Sequence, residues 1–339
     1  MMQKKPNEIK ILLTRDIPAI GIELLQNEGF DVSVWPHDRP MNPEELLEGA
    51  MKVNALLTLS TDNHMDAKFL NQCKHLDIIS QFAAGYDNID IPEASRLGIP
   101  IGNTPGAMSD STADIAFGLM IAVSRKMFYL HKSIAKGEWK AFQPKANLGI
   151  ELKNKTLGVF GLGRIGMQMA IRCKGAYNMK IIYCKRKPNI EAEKLLEASF
   201  VSFDELLQQS DVLSVHSGLN DETRGIFNKD AFSKMRPNSI FINTARGGMH
   251  NEPDLLEALQ AGTIWGAGLD VTNPEPIDAN SPLLFMPNVA ILPHVGSGTV
   301  ESRNEMSRVA AMNIIEFYKN NNVPYIVNPG VMEGRQSIS

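Results

Sequence analysis

The sequence predicts an α/β protein made of two doubly wound, parallel-sheet domains. Three observations carry this. Short apolar runs rich in β-branched residues alternate with helical patterns along the chain. Eleven such strand-like runs can be counted, more than one open sheet of ordinary size holds. A glycine-rich strand–turn–helix signature, Gly161-x-Gly163-x-x-Gly166, opens the second series of strands.

The elements follow in order. In the first third the strand candidates are IKILL (9–13), DVSVW (31–35), ALLTLS (55–60), LDIIS (76–80) and PIGNT (100–104). Helical patterns such as IGIELLQNEG and NPEELLEGAM separate them. From Ser109 one long helical pattern runs to Gly137, with Ser109 or Asp110 as N-cap. It is apolar on more than one face, which suits a linking helix packed between domains or between subunits. The strands resume with TLGVF (156–160), MKIIYC (179–184), DVLSVHS (211–217), SIFINTA (239–245), WGAGLDV (265–271) and VAILP (289–293). A second long helical pattern, 300–320, follows the last strand.

Composition narrows the function. The 339 residues carry a net charge of −4 with mixed signs, so neither nucleic acid nor an anionic membrane is expected as partner. No apolar run reaches the roughly 18–20 residues of a membrane span. The N-terminal MMQKKPNEIK has no apolar segment behind its basic residues, so no secretory signal is expected. Cys73, Cys173 and Cys184 lie far apart, which predicts reduced thiols in a cytoplasmic protein. None of the seven histidines stands at a metal-ligand spacing, so no metal is expected.

The glycine signature predicts dinucleotide binding. Gly161 permits the tight turn, Gly163 lets backbone approach a pyrophosphate, and Gly166 lets the helix pack against the strand. The pyrophosphate then rests on the free N–H groups of the helix start. About twenty residues on, an acid would bind the ribose 2′-OH of NAD. Here that place reads Cys184-Lys185-Arg186-Lys187, without a carboxylate. A 2′-phosphate needs cations, and Arg offers a planar fork. The cluster therefore predicts NADP(H) as preferred, with NAD(H) possible. The bland alternative is a solvated run of surface charge.

Arg246, Glu275 and His294 each stand just past a predicted strand. In open α/β sheets that edge is the ligand crevice. Alone, each has a plain structural reading: an ion-pair partner, a loop charge beside prolines, a loop histidine. Together they suit hydride transfer to a 2-oxo acid. A carboxylate beside an imidazolium stabilises the proton-donating form, which can protonate the keto oxygen. An Arg can grip the substrate carboxylate and polarise the keto group.

With these residues in view, the chain resembles the D-isomer-specific 2-hydroxyacid dehydrogenases, and within them the glyoxylate/hydroxypyruvate reductases. The stretches that carry the resemblance are FAAGYDNIDIPEASRLGIPIGNTPG, VFGLGRIG, FINTARGG, GLDVTNPEP and LPHVGSGT. The resemblance implies a Rossmann cofactor domain (105–297) inserted into a discontinuous flavodoxin-like substrate domain (1–104 and 298–339), and a homodimer. It implies that Arg246, Glu275 and His294 are catalytic and that Ala84 and Gly85 bind the substrate carboxylate through backbone N–H groups. Gly161, Leu162, Gly163, Arg164, Ile165 and Gly166 would hold the pyrophosphate. Lys185, Arg186 and Lys187, with His216 and Ser217, would lie on the adenosine side. Thr112, Thr244, Ala245, Asp270, His294 and Gly296 would lie along the nicotinamide and its ribose. Trp139 would reach the partner's active site. Gly218, Asp114 and Ser297 depart from the usual family residues without removing a catalytic group.

The expected activity is thus reduction of a small 2-oxo acid to its D-2-hydroxy acid. Two other readings stay open: a reductase of a larger 2-ketoaldonate, and a dinucleotide-sensing protein of the corepressor type. A related amino-acid dehydrogenase is disfavoured, since no catalytic Lys motif stands out.

Overall fold

The computed structural model describes residues 5–62 and 64–336. The chain divides into two compact units, 1–108 with 298–339, and 109–297. Residues 105–108, expected with the second unit, belong to the first, because Ala107 and Met108 pack on its core.

The first unit begins with β1 (Lys10–Leu13), α1 (Ala19–Asn27), β2 (Asp31–Val34), α2 (Pro43–Ala50), β3 (Ala55–Thr58), α3 (Ala67–Gln72), β4 (Ile78–Gln81), α4 (Ile91–Arg96) and β5 (Ile101–Gly102). Its strands are all parallel, in the order β2-β1-β3-β4-β5. That is the flavodoxin-like order, with the switch point between β1 and β3. Side-chain caps start several of the helices. Asn42 accepts from Glu45 N at 2.8 Å, and Asp66 from Phe69 N at 2.8 Å. β3 and β4 are buried along their whole length, so neither shows the apolar–polar alternation of a half-exposed strand.

The second unit runs α5 (Ser109–Ser124), α6 (Met127–Ala135), β6 (Thr156–Phe160), α7 (Arg164–Tyr177), β7 (Lys180–Cys184), α8 (Ile190–Leu196), β8 (Ser199–Phe200), α9 (Phe203–Gln209), β9 (Val212–Val215), α10 (Lys229–Lys234), β10 (Ile240–Asn243), α11 (Glu252–Gln260), β11 (Gly266–Leu269) and β12 (Val289–Ile291). Its parallel sheet has the order β12-β11-β10-β9-β6-β7-β8, with the switch point between β6 and β9. This is the Rossmann order with one strand added at the β12 edge. One cluster of aromatic rings packs under β9 and β10: Phe227 meets Phe160, Phe203 and Phe241 with centroids 5.1–5.6 Å apart. The chain then returns to the first unit through α12 (Val300–Asn320) and α13 (Gly330–Gln336). Met306, Ala310 and Ile314 of α12 complete that unit's core.

The predicted single helix from Ser109 is two helices. Lys126 adopts φ 57°, and the Ser124 carbonyl accepts from Ile150 N at 2.9 Å instead of continuing the ladder. The Lys126 ammonium lies 5.1 Å from the Trp265 ring centroid, which fixes the break. β8, only two residues long, carried no sequence signal.

Candidate active site

The glycine turn leaves β6 at Gly161, whose φ is +91°. A Cβ there would come within 2.7–2.8 Å of the His216–Ser217 backbone, so only glycine lets the turn lie against the loop after β9. Gly161 N donates to Cys184 O at 2.9 Å, which ties the turn to the end of β7 as well. At Gly163 a Cβ would meet nothing within 4 Å. No side chain caps the start of α7 either, which leaves its first N–H groups without an intrahelical or capping acceptor. This is the anion cradle that a pyrophosphate requires.

The basic cluster flanks that turn. Lys185 Nζ reaches Leu162 O at 3.4 Å, Arg186 Nη2 pairs with Glu222 Oε2 at 2.9 Å, and Lys187 is exposed. His216 turns its ring inward: Nε2 meets Ser214 Oγ at 2.8 Å, and Nδ1 is buried with no partner among the described residues. Burial drives this imidazole far down, so it is neutral.

Arg246, Glu275 and His294 follow β10, β11 and β12, three neighbouring strands. His294 Nδ1 and Glu275 Oε1 lie 2.5 Å apart, with both side chains about one-third exposed (32% and 37%). His294 sits at φ +52° and is held by Asp270. The Asp270 carbonyl accepts from His294 N at 2.9 Å, and its carboxylate accepts from Val295 N at 2.8 Å and Gly296 N at 2.7 Å. Burial pushes the Asp270 carboxyl above its usual range, and these two donors oppose that shift. Thr112 closes the group: a Cβ on Gly296 would lie 3.1 Å from both Asp270 Oδ2 and Thr112 Cγ2. Gly247, next to Arg246, abuts the Thr272 carbonyl so closely that a Cβ would stand 1.8 Å from it. The Arg246 and Glu275 loops are therefore interlocked.

Two buried residues unnoticed in the sequence shape the Arg246 loop. Asn243 accepts from Ala245 N at 3.0 Å, donates to Arg246 O at 2.9 Å, and donates to His250 Nδ1 at 3.0 Å. His250 must then carry its proton on Nε2. Thr244 Oγ1 is buried with no partner among the described residues. Burial pushes the His250 imidazole down to about 4 from its ordinary 6.5. In that window the unfolded chain binds the extra proton, so stability falls as pH falls. The full span is worth at most about 3 kcal/mol. His250→Val is expected to shrink the loss of stability between about pH 7 and about pH 4.5, read from urea midpoints, with His216 supplying the slope that remains. An unchanged loss would show that His250 takes up its proton in the fold.

Ala84 and Gly85 belong to the first unit, in the loop after β4. Three successive carbonyls there are drawn inward. Ala83 O accepts from Thr104 N at 2.9 Å, Ala84 O from Asn103 Nδ2 at 2.8 Å, and Gly85 O from Gln81 Nε2 at 2.8 Å. In a trans peptide the next N–H points the opposite way. The N–H groups of Ala84 and Gly85 are thus turned away from that scaffold. Gln81 is itself fixed by Thr58 and Asn88, at 3.1 and 2.8 Å. A polar residue inside the apolar run LDIISQF was the available clue.

Among the described residues no cluster of His, Cys, Asp and Glu could hold a metal ion. No helix among them is long and apolar enough to cross a membrane.

Comparison with known proteins identifies this arrangement. The profile described as "D-isomer specific 2-hydroxyacid dehydrogenase, NAD binding domain" matches residues 117–296. A glyoxylate reductase of Thermococcus litoralis is 42% identical over 327 residues, covering 95% of this chain and 98% of that protein. The crystal structure of a glyoxylate reductase from Paecilomyes thermophila superposes with a TM-score of 0.85 at 33% identity, over 95% of this chain and 99% of that one. An NADPH-dependent glyoxylate/hydroxypyruvate reductase from Sinorhizobium meliloti, in complex with NADP and malonate, gives 0.81 at 29% identity, over 94% and 96%. With two parallel-sheet units, a glycine cradle at one switch point and a profile match over most of the second unit, the chain belongs to the D-isomer specific 2-hydroxyacid dehydrogenase family.

Proposed function

We propose that this protein reduces glyoxylate, hydroxypyruvate or a similar small 2-oxo acid to the D-2-hydroxy acid, with NADPH preferred over NADH. The observation that carries the reading is the Glu275–His294 contact at 2.5 Å, on strand-end loops beside Arg246. The names of the relatives, glyoxylate reductases of about 40% identity, support the substrate class.

The residues present fit a dinucleotide. The open cradle at Gly163 and the uncapped start of α7 suit the pyrophosphate. The orphaned Thr244 hydroxyl and the packed Thr112–Asp270–Gly296 group suit the nicotinamide end. Lys185 and Arg186 suit a 2′-phosphate. When bound, the reduced nicotinamide supplies the hydride for the keto carbon. Arg246 binds the substrate carboxylate and polarises the keto oxygen. His294, oriented by its contact with Glu275, gives a proton to that oxygen as negative charge develops. Hydride and proton together complete the hydroxy acid.

A homodimer is part of this proposal. Met127, Ile134, Trp139, Phe142 and Phe285 of the second unit are all more than half exposed, an apolar load that a second copy of the chain would cover. Trp139 is assigned to that interface.

The test is the absorbance loss of NADPH or NADH with glyoxylate and with hydroxypyruvate. Faster oxidation of NADPH is expected, and Arg186→Ala should remove most of that advantage. Tight NADPH binding without turnover of either acid would return the sensor reading or a larger 2-oxo acid.

A further inference from the structure

The Arg186–Glu222 pair has a particular place in the sheet. β7 and β9 flank β6 on its two sides. Arg186 follows β7 and Glu222 stands in the loop after β9, so their 2.9 Å contact bridges the loops on either side of the glycine turn. The Glu222 end is firmly seated. Asn220 Oδ1 accepts from Glu222 N at 2.9 Å and from Thr223 N at 3.1 Å. The buried Thr223 hydroxyl donates to Gly218 O at 2.9 Å and accepts from Asn220 N at 2.9 Å. Arg186 is the cation of the cluster that meets Glu222, while Lys185 is turned to Leu162 O and Lys187 is exposed.

We infer that Glu222 is a specificity-determining residue: its carboxylate competes with the cofactor's 2′-phosphate for Arg186 and holds down the preference for NADPH. The inference rests on the NADPH reading proposed above. Both side chains are 74% exposed, so the pair is weak and readily exchanged. A 2′-phosphate carries nearly two negative charges and accepts the guanidinium fork in bidentate fashion, so it displaces the carboxylate. The displaced Glu222 then stays beside the phosphate, together with Asp221, and like charges repel. A dinucleotide without the 2′-phosphate meets neither effect.

Four proteins test this: wild type, Glu222→Gln, Arg186→Ala and the double variant, each assayed for kcat/KM with NADPH and NADH. The glutamine variant should raise the NADPH:NADH ratio by about 3- to 10-fold, chiefly through KM for NADPH. Added salt should shrink that gain. In the Arg186→Ala background the same substitution should change the ratio by much less. An unchanged or lowered ratio in Glu222→Gln, with the ratio still falling in Arg186→Ala, would overturn the inference and leave the NADPH reading standing. No change in Arg186→Ala would remove that reading and the inference with it.

Discussion

Arg246→Ala is expected to lower kcat/KM for the 2-oxo acid by roughly 10²–10³-fold, with dinucleotide affinity near that of wild type. The guanidinium is the part being tested, and the loop should survive its loss. Asn243 holds this loop through Ala245 N and the Arg246 carbonyl, which the substitution leaves in place. Arg246 Nη1 donates to Ala245 O at 2.8 Å, within the same loop. Steady-state kinetics together with a fluorescence titration of NADPH separate the two effects. Arg246→Lys should recover little, since a point charge does not replace a planar fork. Full turnover in the alanine variant would exclude Arg246 from the reaction.

His294→Asn should cost roughly 10²–10⁴-fold in kcat. Asparagine is the informative replacement because His294 lies at φ +52°, a left-handed conformation that Asn tolerates better than Ala. The Asp270 contacts to His294 N, Val295 N and Gly296 N all use backbone, so the loop keeps its shape. Glu275→Gln keeps a hydrogen-bonding group opposite the imidazole and loses the charge. Its kcat should fall between wild type and His294→Asn. Wild-type kcat in His294→Asn would place the proton donor elsewhere.

Much of this architecture was legible because parallel sheets announce themselves. Strands buried on both faces, such as β3, β9 and β10, leave short, mainly apolar runs that can be found directly. The glycine turn was legible for a related reason, since its three glycines answer separate steric demands. What escaped was structure set by partners distant in sequence. The break at Lys126 depends on Ile150 taking the Ser124 carbonyl, 26 residues along. β8 exists only because Ser199 and Phe200 pair with Ile182 and Tyr183.

The site divides in the same way. Arg246, Glu275 and His294 stood out as candidates from their positions past strands. The hydrogen bonds that aim them could not be read, even at Asp270, a residue the resemblance had named. Asn243 and Asp270 act through hydrogen bonds to backbone, and Gln81 orients a carbonyl four residues away. Buried polar residues of this kind resemble ordinary strand ends until the loop they fix is seen.

The sheet order has an evolutionary consequence. The groups proposed for the chemistry hang from β10, β11 and β12, while those proposed to choose between cofactors hang from β7 and β9, and all sit on separate loops. A lineage could therefore exchange one electron carrier for another by drift at Arg186 and Glu222, without passing through an intermediate that has lost its turnover.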